Sequence, residues 1–393
     1  MLKTIENLEV AGKKVLVRCD FNVPLKDGVI QDDTRITEAL PTIKKLLKKG
    51  AAVILVSHLG RPEGKRVDEY SLRPVADRLS ELLGISVWFA EEVLGDETSR
   101  LASSLEPGDV LLLENLRFYP GEKNNDSEFA KSLASLADLF VQDAFGTVHR
   151  EHASMVGVAE LLPSAAGMLL EKEIKYLSMG LDPEHPLVVC LGGAKLETKI
   201  PVIEKMLEKA DIILIGGGMA YTLLKAGGKE IGKSLLDENN ISTAQMILSK
   251  AREYNVDLDM PTDHVAAASL DDPNSVEITE VDIPKDLMGV DIGLETRERY
   301  AKKIQGARTI VINGPMGVFE VENFSKGTKS VLQAIVEATS NGASSIAGGG
   351  DTVSAIKNLG IDTKGFTHIS TGGGASLKFL EGKELPGIKV LDN

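Results

Sequence analysis

The chain has 393 residues, 43% hydrophobic and 26% charged, with a formal net charge of −14. That length exceeds what one compact core serves and suits two domains of roughly 150 to 200 residues each. The acidic balance argues against general nucleic-acid or anionic-membrane binding, so a site for an anionic substrate has to be a local basic cluster on an acidic surface.

From the N-terminus, MLKTIENLEV shows no apolar stretch behind Lys3, and nowhere do about 18 apolar residues follow one another, so a cytoplasmic protein is expected. Strand-like runs recur at Val15 to Val17, Val53 to Val56, Val110 to Leu113 and Leu139 to Val141, separated by stretches of helical spacing such as Thr37 to Leu47. This alternation predicts a parallel α/β sheet. Ala165 to Leu177 is apolar on one face at helical spacing, with Pro163 before it and Gly180 and Pro183 after, and reads as a helix joining two domains. The second half repeats the plan at Leu187 to Cys190, Ile212 to Ile215, Thr309 to Ile312, Ser344 to Ile346 and Thr367 to Ile369, several of them apolar throughout, as buried parallel strands should be. After Gly374 a helix from Ala375 to Leu380 leads to a turn at Pro386-Gly387. The two cysteines, Cys19 and Cys190, sit far apart in apolar runs; they speak for small buried residues in a reducing compartment and against a disulfide framework.

Ligands of parallel sheets bind beyond the carboxyl ends of the strands, so the residue after each apolar run is a candidate site residue. In the first half those ends are Arg18 to Asn22, Ser57 to Arg61, Glu114 to Arg117 and Gln142 to His152. Arg61, Arg117 and Arg150 follow three different strands and Arg35 precedes a helix, so they can converge on a phosphate or carboxylate, whose oxygens suit the guanidinium fork. For any one of them a solvated surface role stays open.

In the second half the strand ends are glycine-rich: Gly192-Gly193-Ala194-Lys195, Gly216-Gly217-Gly218, Gly348-Gly349-Gly350 and Gly372-Gly373-Gly374. Backbone N–H groups there can approach an anion unhindered by a Cβ, and the following helix aims its positive end at the same point; a plain tight turn is the alternative for each triplet alone. This half reads as the nucleotide side. Lys195 is a mobile point charge for a phosphate chain, and Lys199 lies one helical turn beyond. Asp351 suits a Mg²⁺ that keeps several waters, with a helix N-cap as its competing role. Gly227 to Ser234 matches the phosphate-loop pattern GxxxxGKS, but no strand precedes it and Gly227-Gly228 reads as the C-cap of a helix over Met219 to Ala226.

These segments together resemble phosphoglycerate kinases from end to end: Arg18 to Pro24, Ser57 to Pro62, Glu114 to Phe118, Asp143 to Ser154, Leu191 to Lys195, Asn313 to Glu320, Gly348 to Thr352 and Ser370 to Ser376. The resemblance implies two Rossmann-like doubly wound domains with parallel sheets facing each other across a cleft. The first, residues 1–170 plus the returning tail 375–393, would hold 3-phosphoglycerate through Asp20, Asn22, Arg35, His58, Gly60, Arg61, Arg117 and Arg150. The second, residues 171–374, would hold ADP or ATP through Gly193, Lys195, Lys199, Gly217, Gly293, Asn313, Glu320, Gly349, Gly350, Asp351 and Thr352, with Asp351 on Mg²⁺. Arg35, Lys195, Gly350 and Gly373 would face the transferring phosphoryl group. The implied reaction is reversible transfer of the acyl phosphate of 1,3-bisphosphoglycerate to ADP, a glycolytic step, by a monomer with only small-molecule partners.

The sequence departs from the family pattern at Leu196-Glu197-Thr198, Val148 and Leu294, none of them a charged site group whose loss would touch the chemistry. A carboxylate acceptor is ionised at neutral pH and needs no general base. A kinase of another small anionic substrate, or one acting on a hydroxyl with His58 or Asp20 as base, is the alternative. A non-catalytic nucleotide-binding module is disfavoured by the presence of Lys195, Arg35 and Asp351 together.

Overall fold

The computed structural model describes residues 2–392, which divide into two compact units: residues up to Ile174 with the tail from Glu384, and Lys175–Lys383. In the first, strands β1 (Lys14–Arg18), β4 (Ala52–Val56), β5 (Val87–Ala90), β6 (Val110–Leu113), β7 (Leu139–Gln142) and β8 (Ser164–Ala166) form one parallel sheet in the order β5-β6-β4-β1-β7-β8. Two short strands, β2 (Leu25–Lys26) and β3 (Val29–Ile30), make a separate hairpin. The helices are α1 (Thr34–Lys48), α2 (Arg73–Leu83), α3 (Asp96–Ser104), α4 (Pro120–Lys123), α5 (Ser127–Ala134) and α6 (Val158–Leu161). In α1 the residues Ile36, Ala39, Ile43 and Leu46 recur at three- and four-residue spacing and are all buried, joining Val15, Val17, Val53 and Leu55 of the sheet in one core. Each such Val, Ile or Leu side chain contributes about 1.5–3 kcal/mol by leaving water.

The helix α7 (Met168–Leu181) carries the chain into the second unit. The stretch read as a helix from Ala165 is therefore split: Ala165 and Ala166 belong to edge strand β8, and the helix starts only at Met168. Gly167 marks the break, because a Cβ there would lie 2.3 Å from Asp143 Oδ1, and that oxygen accepts hydrogen bonds from Leu169 N (2.9 Å) and Leu170 N (3.1 Å). A carboxylate from β7's end thus starts the helix.

In the second unit β9 (Leu187–Leu191), β10 (Ile212–Ile215), β11 (Asp257–Asp259), β15 (Thr309–Asn313), β16 (Ser344–Gly348) and β17 (His368–Ile369) form a parallel sheet in the order β11-β10-β9-β15-β16-β17. Its helices are α8 (Ile200–Leu207), α9 (Met219–Ala226), α10 (Ile241–Glu253), α11 (Leu294–Gln305), α12 (Lys326–Ser340), α13 (Gly350–Asn358) and α14 (Gly374–Leu380). Between β11 and α11 lies an element the sequence pattern does not announce, an antiparallel sheet of β12 (Asp263–Ala267), β13 (Val276–Glu280) and β14 (Met288–Ile292) in the order β13-β12-β14. Edge strand β13 is largely exposed, so it lacks the apolar run that marks a buried strand. The helix α14 packs against α8, so residues 375–383 stay with the second unit and the return begins at Glu384, just before α15 (Pro386–Lys389). Cys19 and Cys190 are free thiols buried in the two cores. No helix among the described residues is long and apolar enough to cross a membrane.

Candidate active site

In the first unit strand order reverses between β1 and β7, and the segments beyond those strands, β4 and β6 carry most of the charged groups. Arg18 ends β1 and is fully buried. Its Nε donates to Ser154 Oγ (2.8 Å), its Nη1 to the Cys19 carbonyl and its Nη2 to His58 Nδ1 (3.2 Å). Arg35, at the start of α1, donates Nη1 to both Asp20 oxygens (3.1 Å each) and to the Asn22 carbonyl (3.2 Å). Asn22 Oδ1 in turn accepts the Gly60 N–H at 2.9 Å. Arg117 follows β6 and donates Nη1 to the Gly60 carbonyl (2.7 Å), while its Nε is buried without a partner. Gly60 has φ +63, and a Cβ there would meet the Tyr70 ring at 2.5 Å, so only glycine lets this turn pass under the ring.

The electrostatics of His58 and Arg117 reflect the cations around them. Burial, then the charges of Arg18, Arg117, Arg150 and Arg35, push His58 well below the ordinary histidine range. Arg117 is pulled down to about 10, first by burial and then by Arg150 and Arg18. Arg150 is half-buried beside His149, with Nε 3.4 Å from its Nε2. Arg61, by contrast, lies exposed on the loop after β4. Two buried groups outside the set that the resemblance implies complete the cluster, Arg18, one of the strand-end candidates, and Glu122 of α4. Burial alone would raise Glu122, but His152, Arg18 and Ser154 outweigh it and hold the carboxylate below its usual range. Arg18 was signalled by a charge ending the otherwise apolar run of β1; Glu122 and Ser154, 32 residues apart, had no such signal.

In the second unit the strands appear in the doubly wound order that places a mononucleotide at the reversal, here between β9 and β15. Gly193 N donates to Pro315 O (3.0 Å) and Gly217 N to Met316 O (2.8 Å), drawing three loops together. Gly217 has φ +67, and a Cβ would lie 2.6 Å from Gly193 N. These loops floor a cavity of about 410 Å³, whose polar rim includes Glu320, Asp351 and Lys233 and whose walls are Tyr221, Leu235, Met288, Val290, Val318 and Phe319. An apolar slot with a glycine floor accepts a planar base and its phosphates. Gly193, Gly217, Glu320 and Asp351 of the expected set line it; the apolar wall was missed because such residues read as ordinary core.

The remaining expected residues stand around this floor or apart from it. Lys199, drawn down by burial against the opposing pull of Asp351, donates Nζ to Asn313 Oδ1, and Asn313 Nδ2 is buried without a partner, under Gly349. Thr352 Oγ1 accepts from Gly314 N (2.7 Å) and donates to Gly348 O (2.7 Å), tying α13 to the loop after β15. The N-cap of α13 is Gly349 with no side-chain cap, so Asp351 stands in the first turn as an exposed, uncommitted carboxylate. Gly350 opens α13 with free space where a Cβ would be. Lys195 is exposed, and Gly373 caps α14 at φ +51. Gly293 lies outside the cavity lining: it is buried at the N-cap of α11, where Asp263 accepts the amides of Glu295 (2.9 Å) and Thr296 (2.8 Å) and leaves no room for a Cβ. The segment Gly227 to Ser234 forms no phosphate loop: Gly227 caps the end of α9, and Ser234 Oγ accepts from Gly289 N (2.8 Å).

Two parallel α/β units, one gathering guanidinium groups and the other offering a glycine-floored slot, define a phosphotransferase working on small anionic ligands. The phosphoglycerate kinase family model matches residues 5–383. A phosphoglycerate kinase of Thermosipho africanus is 54% identical over 99% of this chain and 98% of its own, and one of Chloroherpeton thalassium is 52% identical over 100% and 99%. Among solved structures, phosphoglycerate kinase from Coxiella burnetii superposes with a TM-score of 0.92 at 43% identity, covering 100% of this chain and 99% of that one. That from Pyrococcus horikoshii OT3 gives 0.85 at 35%, covering 100% and 98%. The chain belongs to the phosphoglycerate kinase family.

Proposed function

We propose that the chain transfers the acyl phosphate of 1,3-bisphosphoglycerate to ADP, reversibly, giving 3-phosphoglycerate and ATP in glycolysis. The observation that carries this reading is the gathering of Arg18 against His58, Arg35 against Asp20 and Arg117 against Gly60 beyond one edge of the sheet, a cationic setting that suits a compact anion. The first unit holds the acidic substrate through Asp20, Asn22, Arg35, His58, Gly60, Arg117 and Arg150, with Arg61 reaching in from solvent. The second holds the nucleotide base in its apolar slot and the phosphates at Gly193, Lys195, Lys199, Asn313 and the α13 start at Gly349 to Thr352.

The acceptor carboxylate is already ionised, so catalysis reduces to positioning and to stabilising charge spread over the equatorial phosphoryl oxygens. Arg35 and Lys195 supply the mobile positive charges, and the N–H groups of Gly350 and Gly373 supply fixed ones. Among the described residues no three acidic or cysteine or histidine groups gather as a metal cage. A single exposed carboxylate, Asp351, fits Mg²⁺, which keeps its waters and takes its other ligands from phosphates. Bound there, the ion would neutralise phosphate charge. We further propose a cytoplasmic monomer whose units close on both ligands, excluding water from the acyl phosphate; compaction in small-angle scattering on adding both substrates tests the closure. A coupled assay with 3-phosphoglycerate and Mg-ATP tests the activity, and absence of turnover would sink it.

A further inference from the structure

Beneath the anion-binding side chains runs a buried polar chain that phosphoryl transfer does not itself require. It starts at Glu122, a fully buried carboxylate on the four-residue helix α4. Glu122 Oε1 accepts from Ser154 Oγ (2.7 Å) and Oε2 from Ser154 N (3.0 Å), and His152 Nδ1 stands 3.6 Å from Oε1. Ser154, with its hydroxyl hydrogen committed to Glu122, accepts Arg18 Nε at 2.8 Å. Arg18 then presents Nη2 to His58 Nδ1 at 3.2 Å. The segment that brings Ser154 into place, Ala153–Gly157, is a single π-helical turn, a pattern rare in helices and frequent at functional sites.

We propose that Glu122 and Ser154 are positioning residues that hold Arg18 as a donor to His58 Nδ1, fixing His58 as the neutral tautomer with its proton on Nε2. The inference rests on the reading of the first unit as the acidic-substrate site and assigns what His58 does there. A guanidinium has donors only, so a contact to Nδ1 requires a lone pair on that nitrogen, and an imidazolium would set N–H against N–H. The other groups facing the ring agree. Arg117 beyond β6, Arg150 beyond β7 and Arg35 on α1 all disfavour a second positive charge, while Asp20, 3.9 Å from Nδ1, is bound at closer range by Arg35. His58 then offers Nε2–H to an anionic oxygen and has no free nitrogen to act as a base, which removes it as the base of a hydroxyl kinase. The hydrogen bond it offers does not fade as pH rises through neutrality.

The test uses the full chain with ¹⁵N-labelled histidine and long-range ¹H–¹⁵N NMR, the His58 signals being those absent from His58→Gln. Nδ1 should read as unprotonated and Nε2 as protonated, unchanged from about pH 5.5 to 8. An imidazolium signature or an Nδ1–H tautomer in that range overturns the proposal. In Ser154→Ala the His58 signals should shift towards mixed tautomers, with KM for 3-phosphoglycerate raised roughly tenfold and kcat changed by less than about threefold, as expected for one lost hydrogen bond to a charged group. Ser154→Thr, which keeps the hydroxyl, should restore both. If Ser154→Ala folds with unchanged His58 signals and KM, the two residues are merely structural and the proposal fails. If it does not fold, the unmodified chain and Ser154→Thr still decide. Missing turnover in the unmodified enzyme would undo the activity reading while leaving the NMR result standing, so the two failures are distinguishable.

Discussion

On the proposed function, the two units meet the same problem, holding an anion inside an acidic protein, by opposite means. In the first, charge is buried: Arg18 is wholly inside, Arg117 nearly so, and each is locked by neighbours before any ligand arrives. In the second, side chains are removed: Gly193, Gly217, Gly349 and Gly350 bare the backbone, while the charged groups Lys195 and Asp351 stand in solvent. Buried cations cost desolvation and mutual repulsion, which a bound anion relieves; exposed ones cost little and act when phosphates bring them into place. On the proposed function, the first unit is built for affinity and selectivity and the second for stabilising charge as it moves.

That contrast breaks first at Lys195. Being exposed, it contributes little to the folded state, so Lys195→Ala should leave the melting temperature within about 2 °C while lowering kcat by roughly 10²–10³. Nucleotide affinity, measured by calorimetry, should fall much less. Equal losses in kcat and affinity would mean that Lys195 only binds.

Next in size is Arg117. Arg117→Gln should raise KM for 3-phosphoglycerate by roughly 10–100-fold. Because burial, then Arg150 and Arg18, already disfavour its charge, the same change should relieve desolvation and repulsion and leave the ligand-free protein as stable or more so. A large drop in melting temperature would show that Arg117 packs as much as it binds.

A smaller effect separates glycines that serve the ligand from those that serve the fold. Gly350→Ala meets open space on a helix and should keep or slightly raise stability, yet lower kcat/KM for the nucleotide about tenfold. Gly217→Ala forces a Cβ to 2.6 Å from Gly193 N at φ +67 and should destabilise by about 1–3 kcal/mol, read by denaturant titration. If both changes behaved alike, the glycine floor would have no division of labour.

How much of this was readable from the chain depends on what each residue interrupts. Parallel strands such as Val53 to Val56 announce themselves as unbroken apolar runs; Arg18 stands out because it ends such a run, and His58 and Arg117 because they follow one within a few residues. The antiparallel sheet was invisible because β13 is exposed, yet its neighbour β14 supplies Met288, Gly289 and Val290 to the cavity wall. Ala165-Ala166 fits a helix as well as a strand, and only Asp143, 22 residues upstream of Ala165, decides where α7 begins. Glu122 and Ser154 depend on contacts across 32 residues between a four-residue helix and a π turn, which no local period encodes.

The smallest effect compares one buried carboxylate in each unit. Burial raises both Asp143, which follows β7 and accepts from the start of α7, and Asp291 of β14, which accepts from the start of α12, to about 7, against hydrogen bonds that pull them down. In both, the folded state holds its proton more tightly than the unfolded chain, near 3.8. Their contribution to stability is thus fully present below about pH 4 and is lost as pH rises through 7. The melting temperature should accordingly carry a downward component between pH 5 and 8, where ordinary carboxylates no longer titrate. Amide variants separate the two sites. Asp143 accepts both amide hydrogens, from Leu169 and Leu170, on Oδ1, so Asp143→Asn keeps the acceptor that starts α7 and should cost little at pH 5. Asp291 uses one oxygen for Ile292 N (2.9 Å) and the other for Gly327 N (2.5 Å), and an amide can satisfy only one of them. Asp291→Asn should therefore cost about 1–3 kcal/mol at pH 5, and less at pH 8 where the carboxylate's own burial is penalised. Calorimetric scans of both variants across that range check it: equal losses, or a slope that survives in both, would show that the pH response arises elsewhere in the two units.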